Sequence, residues 1–214
     1  MTKKKDSEKI AAETRIGHVH LKVSDLERAV EFYRDVLGFE VTARIGDSAA
    51  FLSAGGYHHH IGLNTWESKG GKAAPQGSTG LYHFAILVPN RKELAKVFKR
   101  LMEKKWPIEG ASDHGVSEAI YLRDPDGNGI EIYADRPRGQ WPKGVKGEID
   151  MYTKALDIEN LMTLAPEGDE EGKYTDKFKT GLLEAHFDAK NNKQVSSKQM
   201  KKELGHRKNI YKKV

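Results

Sequence analysis

The chain has 214 residues, of which 37% are hydrophobic and 31% charged, with a formal net charge of +5 and no cysteine. That length holds one good core, or one core with appendages. The lack of cysteine excludes disulfides, thiolate metal sites and a cysteine nucleophile, and no apolar run approaches the ~20 residues of a membrane span. A basic start at Lys3, Lys4 and Lys5 has no apolar stretch after it, so no signal peptide is expected and the expected location is the cytoplasm. The positive charge is concentrated at one end. Residues 190–214 hold nine Lys or Arg against one acid, Glu203, which exceeds the net +5 of the whole chain. No base-reading motif accompanies this basic tail, so nucleic acid is not an expected partner.

In chain order, residues 1–14 read as a polar leader. Residues 16–23 alternate strictly and predict a half-buried strand. Ser24 and Glu27 have capping-box spacing, which makes Ser24 the expected N-cap of a helix whose apolar stripe is Leu26, Ala29, Val30, Tyr33, Val36 and Leu37, stopped at Gly38. Three strands follow, over residues 39–44, 48–53 and 57–65, with turns at Gly46 and Gly55. Residues 69–80 are rich in Gly, Lys and Ala and read as a linker.

The same pattern then returns. Residues 81–88 predict a strand, Asn90 and Glu93 repeat the capping box, and Leu94, Val97, Phe98 and Leu101 repeat the stripe. Further strands are predicted over residues 106–109, 116–123 and 129–134, with a turn at Asp124-Pro-Asp-Gly127. The chain therefore carries an internal repeat, with His18 and His83 at matching places 65 residues apart. The expected fold is α+β: two βαβββ modules, residues 15–67 and 80–135, within a unit spanning 15–142, with paired curved sheets, helices outside and a cavity inside. Residues 143–214 form an extension, with helices expected near 155–164 and 180–187.

Side-chain parity brings the polar residues together. Val19, Leu21, Val23, Ile61, Leu63, Phe84, Ile86, Ile120, Leu122, Ile130 and Ile132 would face the helices. That leaves His18, His60, His83, Tyr121 and Glu131 on the concave face. A carboxylate in the middle of an apolar strand is costly to bury alone, so Glu131 needs a cation, a donor or a metal. Two neutral imidazoles and one carboxylate suit Fe(II), with Mn(II) close in hardness and Zn(II) or Ni(II) as further candidates.

These residues resemble the vicinal-oxygen-chelate superfamily, which includes glyoxalase I, fosfomycin-resistance enzymes, bleomycin-binding proteins and extradiol ring-cleavage dioxygenases. The stretches that carry the resemblance include Gly17-His-Val-His-Leu-Lys-Val-Ser-Asp-Leu26, Phe32-Tyr-Arg-Asp-Val-Leu-Gly-Phe39, Tyr57-His-His-His-Ile-Gly-Leu-Asn-Thr-Trp66, Gly80-Leu-Tyr-His-Phe84 and Asp113 through Asp135. The match is strongest to bacterial catechol 2,3-dioxygenases. It implies His18, His83 and Glu131 as metal ligands, His60 as the acid–base residue, and Tyr121 and His114 as substrate-orienting residues. It also implies O2-dependent cleavage of a catechol beside its two hydroxyls. Many extradiol enzymes have four modules and this chain has two, so a homodimer would supply the missing wall. Two other functions compete: a glyoxalase-like isomerase or thiol transferase, and a metal-free protein that binds a flat aromatic drug. The glyoxalase reading wants an acid where the first module has His58 and His60, and the drug-binding reading does not need the His/His/Glu set.

Overall fold

Alternation at the start of each half yields a short strand with one buried face. The structure, a computed structural model, describes residues 9–75 and 77–165. β1 (Val19–Lys22) buries Leu21 and exposes His20 and Lys22. α1 (Leu26–Glu31) follows, capped by Asp25, whose carboxylate accepts from the Arg28 amide. Ser24, the cap expected from sequence, is engaged elsewhere: its hydroxyl donates to Asp126 Oδ1 at 2.5 Å, and the next residue takes over the cap. The helix widens into a π-helical turn (Phe32–Val36) that buries Phe32, Tyr33 and Val36. β2 (Glu40–Ile45), β3 (Ala49–Ser53) and β4 (Ile61–Asn64) complete the half. β1 returns to pair in parallel with β4, giving the order β1-β4-β3-β2.

The second half repeats this layout with β5 (Phe84–Leu87), α2 (Arg91–Glu103), β6 (Ile108–Asp113), β7 (Ser117–Arg123) and β8 (Gly129–Asp135) in the order β5-β8-β7-β6. Here the predicted cap holds: Asn90 Oδ1 accepts from the Glu93 amide at 3.1 Å. Each half also has a register irregularity in its second strand, between Val41 and Ala43 in one and between Ile108 and Gly110 in the other. The α+β fold of two βαβββ modules is therefore present as expected.

Several boundaries differ from the sequence reading. β1, β4 and β5 begin at Val19, Ile61 and Phe84, so His18, His60 and His83 all sit just before a strand rather than within one. The strand expected at 106–109 runs instead over Ile108–Asp113. β9 (Lys154–Ala155), on the outer edge of β6, was not foreseen, because two residues are too few to show alternation. It leads into α3 (Ile158–Met162), shorter than the helix expected there and capped by Asp157, which accepts from the Asn160 amide at 3.0 Å. The helix expected at 180–187 and the basic tail lie outside the described residues. No helix among the described residues is long and apolar enough to cross a membrane.

The halves are joined through the first helix and the Asp124–Gly127 turn. Tyr33 donates from its hydroxyl to Asp124 Oδ2 at 3.0 Å, both groups being buried. Asp124 Oδ1 also accepts from the amides of Asp126 and Asn128 at 2.9 and 2.8 Å, and Oδ2 accepts from Asn128 Nδ2 at 2.8 Å. Phe32 packs on Trp106 with ring centroids 4.5 Å apart. Arg100 Nη1 donates to the Leu37 carbonyl at 2.9 Å. Gly38, at φ +89°, leaves room for that guanidinium: a Cβ there would lie 1.8 Å from Arg100 Nη1.

Burial holds the Tyr33 phenol well above its ordinary range, with the nearby Asp124 charge adding to the effect. Tyr33→Phe is expected to cost about 1–2 kcal/mol by removing one donor, and Asp124→Ala about 3 kcal/mol by orphaning several. Urea unfolding midpoints at matched m-values check both.

Candidate active site

Glu131 lies in the middle of β8, directly opposite Tyr121 on β7 and beside Ala85 on β5. Its carboxylate is 15% exposed and meets a donor on each oxygen. Tyr121 donates to Oε1 at 3.0 Å, and His83 Nε2 is 3.0 Å from Oε2. The His83 position depends on Gly129, the first residue of β8. A Cβ on Gly129 would lie 2.2 Å from the Tyr82 carbonyl and 3.0 Å from the Cβ of His83. On its other side the Tyr121 oxygen is 2.6 Å from His114 Nε2. His114 Nδ1 in turn lies 3.2 Å from both the Tyr152 carbonyl and Thr153 Oγ1.

His83, Glu131, Tyr121 and His114 thus form one continuous chain of polar contacts. Burial raises the Tyr121 ionisation well above that of a free phenol, followed by the Glu131 charge and its hydrogen bond. The hydroxyl therefore stays a donor across the physiological range. Two cavities meet this chain. One of about 640 Å³ is lined by His83, Tyr121 and His114, and one of about 330 Å³ by Glu131, Tyr121, His114 and Tyr133. Thr153 lines both.

The first module gathers a different set. His18 packs on His59 with ring centroids 4.4 Å apart and lies 6.4 Å from His58. His58 Nδ1 and His59 Nδ1 are 2.8 Å apart. The row continues along the face through Phe51, His20 and Trp66. His59 is shifted below the ordinary imidazole range, first by desolvation and then by the charges of His18 and His58. His60 leaves this group. Its Nδ1 accepts from the Ala54 amide at 3.3 Å and lies 3.1 Å from Ser53 Oγ, tying the ring to the turn before β4.

Of the residues singled out in the sequence, the structure brings together His83, Glu131, Tyr121 and His114. His18 contacts the histidines of its own module, and His60 contacts its own turn. Among the described residues no three His, Asp or Glu side chains are placed to hold one metal ion. In this group one chain places an imidazole, His83, and a carboxylate, Glu131, side by side. His59 was not singled out in the sequence, where strand parity was carried back to residues 57–60, in which no strand runs. Tyr152 and Thr153 were missed because they lie outside the repeat.

Residues 15–132 match the family model described as the glyoxalase/bleomycin resistance protein/dioxygenase superfamily. The chain belongs to this superfamily. It is 48% identical over 162 residues to the catechol-2,3-dioxygenase of Bacillus subtilis (strain 168), covering 75% of this chain and 55% of that protein. It is 28% identical over 139 residues to the manganese-dependent 2,3-dihydroxybiphenyl 1,2-dioxygenase of Geobacillus genomosp. 3, covering 63% of this chain and 41% of that one. The crystal structure of a superfamily domain from Frankia sp. EAN1pec superposes with a TM-score of 0.50 at 22% identity, covering 58% of this chain and 94% of that one, a likeness of fold. The chain thus spans only about half the length of the B. subtilis relative.

In a spectrophotometric titration, Tyr121→Phe is expected to leave the transition near the free-phenol pH of about 10 unchanged and to remove one phenol that ionises well above it. Loss of a phenol titrating with the exposed tyrosines would contradict the placement of Tyr121.

Proposed function

We propose that the protein is an extradiol-type dioxygenase that uses O2 to open a catechol-like ring beside its two hydroxyls. The observation that carries this reading is the unbroken contact chain His83–Glu131–Tyr121–His114 at the wall of a cavity large enough for a substituted single ring. The names of the B. subtilis and Geobacillus relatives support the same substrate class. In this reading the diol lies against Tyr121 and His114. Tyr121, kept neutral by burial, turns its single O–H from Glu131 to a substrate oxygen, and His114 fixes the direction of that phenol. His59 is a better candidate than His60 for moving protons from the first module, since it lies on the open face against His18 and its imidazole is biased toward the neutral form.

The metal implied by the family would take His83 and Glu131 from this group, with Fe(II) favoured by the donor types and Mn(II) suggested by the Geobacillus relative. Its third donor, His18, is proposed to arrive from a second copy of the chain. β1 and β5 are both edge strands, and His18 and His83 stand immediately before them. Exposed Ile16, Leu81, Tyr82 and Leu87 flank the same two edges, apolar surface that a partner would cover.

Two experiments test this. Anaerobic Fe(II) loading followed by catechol and air is expected to give a yellow ring-fission product. His83→Ala and Glu131→Ala should each lower turnover on the order of 100-fold or more, and Tyr121→Phe about 10- to 100-fold. Tight metal binding without colour would remove the dioxygenase reading. The second experiment mixes two inactive variants, His18→Ala and Glu131→Ala. A shared site regains activity because one of the two centres in the mixed dimer has all its ligands, whereas a site within one chain regains none.

A further inference from the structure

The segment after β8 belongs to neither module, yet it reaches the core of the site. The chain leaves β8 with the Arg136 amide donating to the Val116 carbonyl at 2.8 Å, and Trp141 Nε1 donates back to the Arg136 carbonyl at 2.8 Å. A bridge between Lys143 and Ile149 turns it around. It then runs antiparallel along β6, pairing Lys154 with Asp113 and Ala155 with Ser112. Backbone bonds from the Tyr152 amide to the His114 carbonyl at 3.3 Å and from Leu156 to Ala111 at 3.2 Å bracket the pairing. Beyond it, Leu156, Ile158 and Leu161 are buried in the core, and Arg91 Nη1 donates to Asn160 Oδ1 at 2.8 Å. The strap is therefore fixed at both ends. It is also seated on the His114 loop: Gly115, at φ +77°, lies so close that a Cβ would be 2.7 Å from the Tyr152 ring and 2.8 Å from Pro142. The Lys154 ammonium sits 4.3 Å over the other side of the contact, against the Tyr152 ring.

We propose that this strap sets the tautomer and position of His114, with Thr153 as the positioning residue, and that it forms the wall of both cavities at that side. The Tyr152 carbonyl can only accept a hydrogen bond, so the His114 nitrogen 3.2 Å away, Nδ1, is the one that carries a proton. Thr153 Oγ1 at the same distance holds the ring in the plane that this bond needs. Nε2 is thereby the acceptor that faces the Tyr121 hydroxyl, and the strap sets how that single O–H is shared between His114 and Glu131. The role of His114 in turnover rests on the dioxygenase reading, but the strap's hold on the imidazole does not.

The test uses the full chain with Thr153→Val and Thr153→Ser. Long-range proton–nitrogen correlations on 15N-histidine-labelled protein report the tautomer, with the His114 signals identified by their loss in His114→Gln. The parent and Thr153→Ser should show a protonated Nδ1, while Thr153→Val should drift toward averaged nitrogen shifts. With catechol, Thr153→Val should lower kcat about 10-fold with KM nearly unchanged, and Thr153→Ser should restore it. His114 nitrogens identical in parent and Thr153→Val, with kcat unchanged, would overturn the proposal. A tautomer shift in a parent that turns over no catechol would support the strap and count against the dioxygenase reading.

Discussion

Glu131 imposes the constraint that the second module is built to meet. A carboxylate set in the middle of a largely buried strand must be surrounded by donors or moved to solvent, and β8 cannot move without undoing the sheet. The structure answers with groups from three directions. The cross-strand register with β7 delivers Tyr121, the glycine at the start of β8 opens a gap for His83, and the turn between β6 and β7 delivers His114 behind the phenol. None of these groups is placed by the hydrophobic core alone. Each follows from satisfying the one before it, ending at a backbone carbonyl in the strap.

The joint between the halves explains why the first module stands apart from this chain of contacts. Tyr33, Phe32 and Ser24 meet the second half at the Asp124–Gly127 turn and at Trp106. These contacts involve the first helix and its flanks, so the histidines of the first open face are left to pack on one another. The depressed His59 ionisation comes first from desolvation and then from the charges of His18 and His58 beside it.

Much of this arrangement was legible in the sequence because it follows from period and symmetry. The alternation in β7 and β8 placed Tyr121 and Glu131 on one face, and the repeat matched His18 to His83. What could not be read has identifiable causes. Alternation carries no information where the backbone leaves the strand, as it does at His58, His59 and His60. Helix signals cannot distinguish Ser24 from Asp25 as cap when the serine has a distant partner, here Asp126. Nor does a strand predicted on a face say which other face it will meet: the contacts of Tyr33 with Asp124, Ser24 with Asp126, Phe32 with Trp106 and Arg100 with Leu37 set the modules together. The strap was invisible for a simpler reason, since β9 has two residues and no periodicity.

The Tyr33–Asp124 contact also bears on cooperativity. Cutting the chain in the linker between the modules would leave a buried phenol in one fragment and, in the other, a carboxylate that organises its own turn but lacks its longest-range donor. Neither fragment would keep the apolar surface around Phe32 and Trp106 out of water. The two halves repeat one another in topology but share a buried joint, so a single melting transition is expected for both.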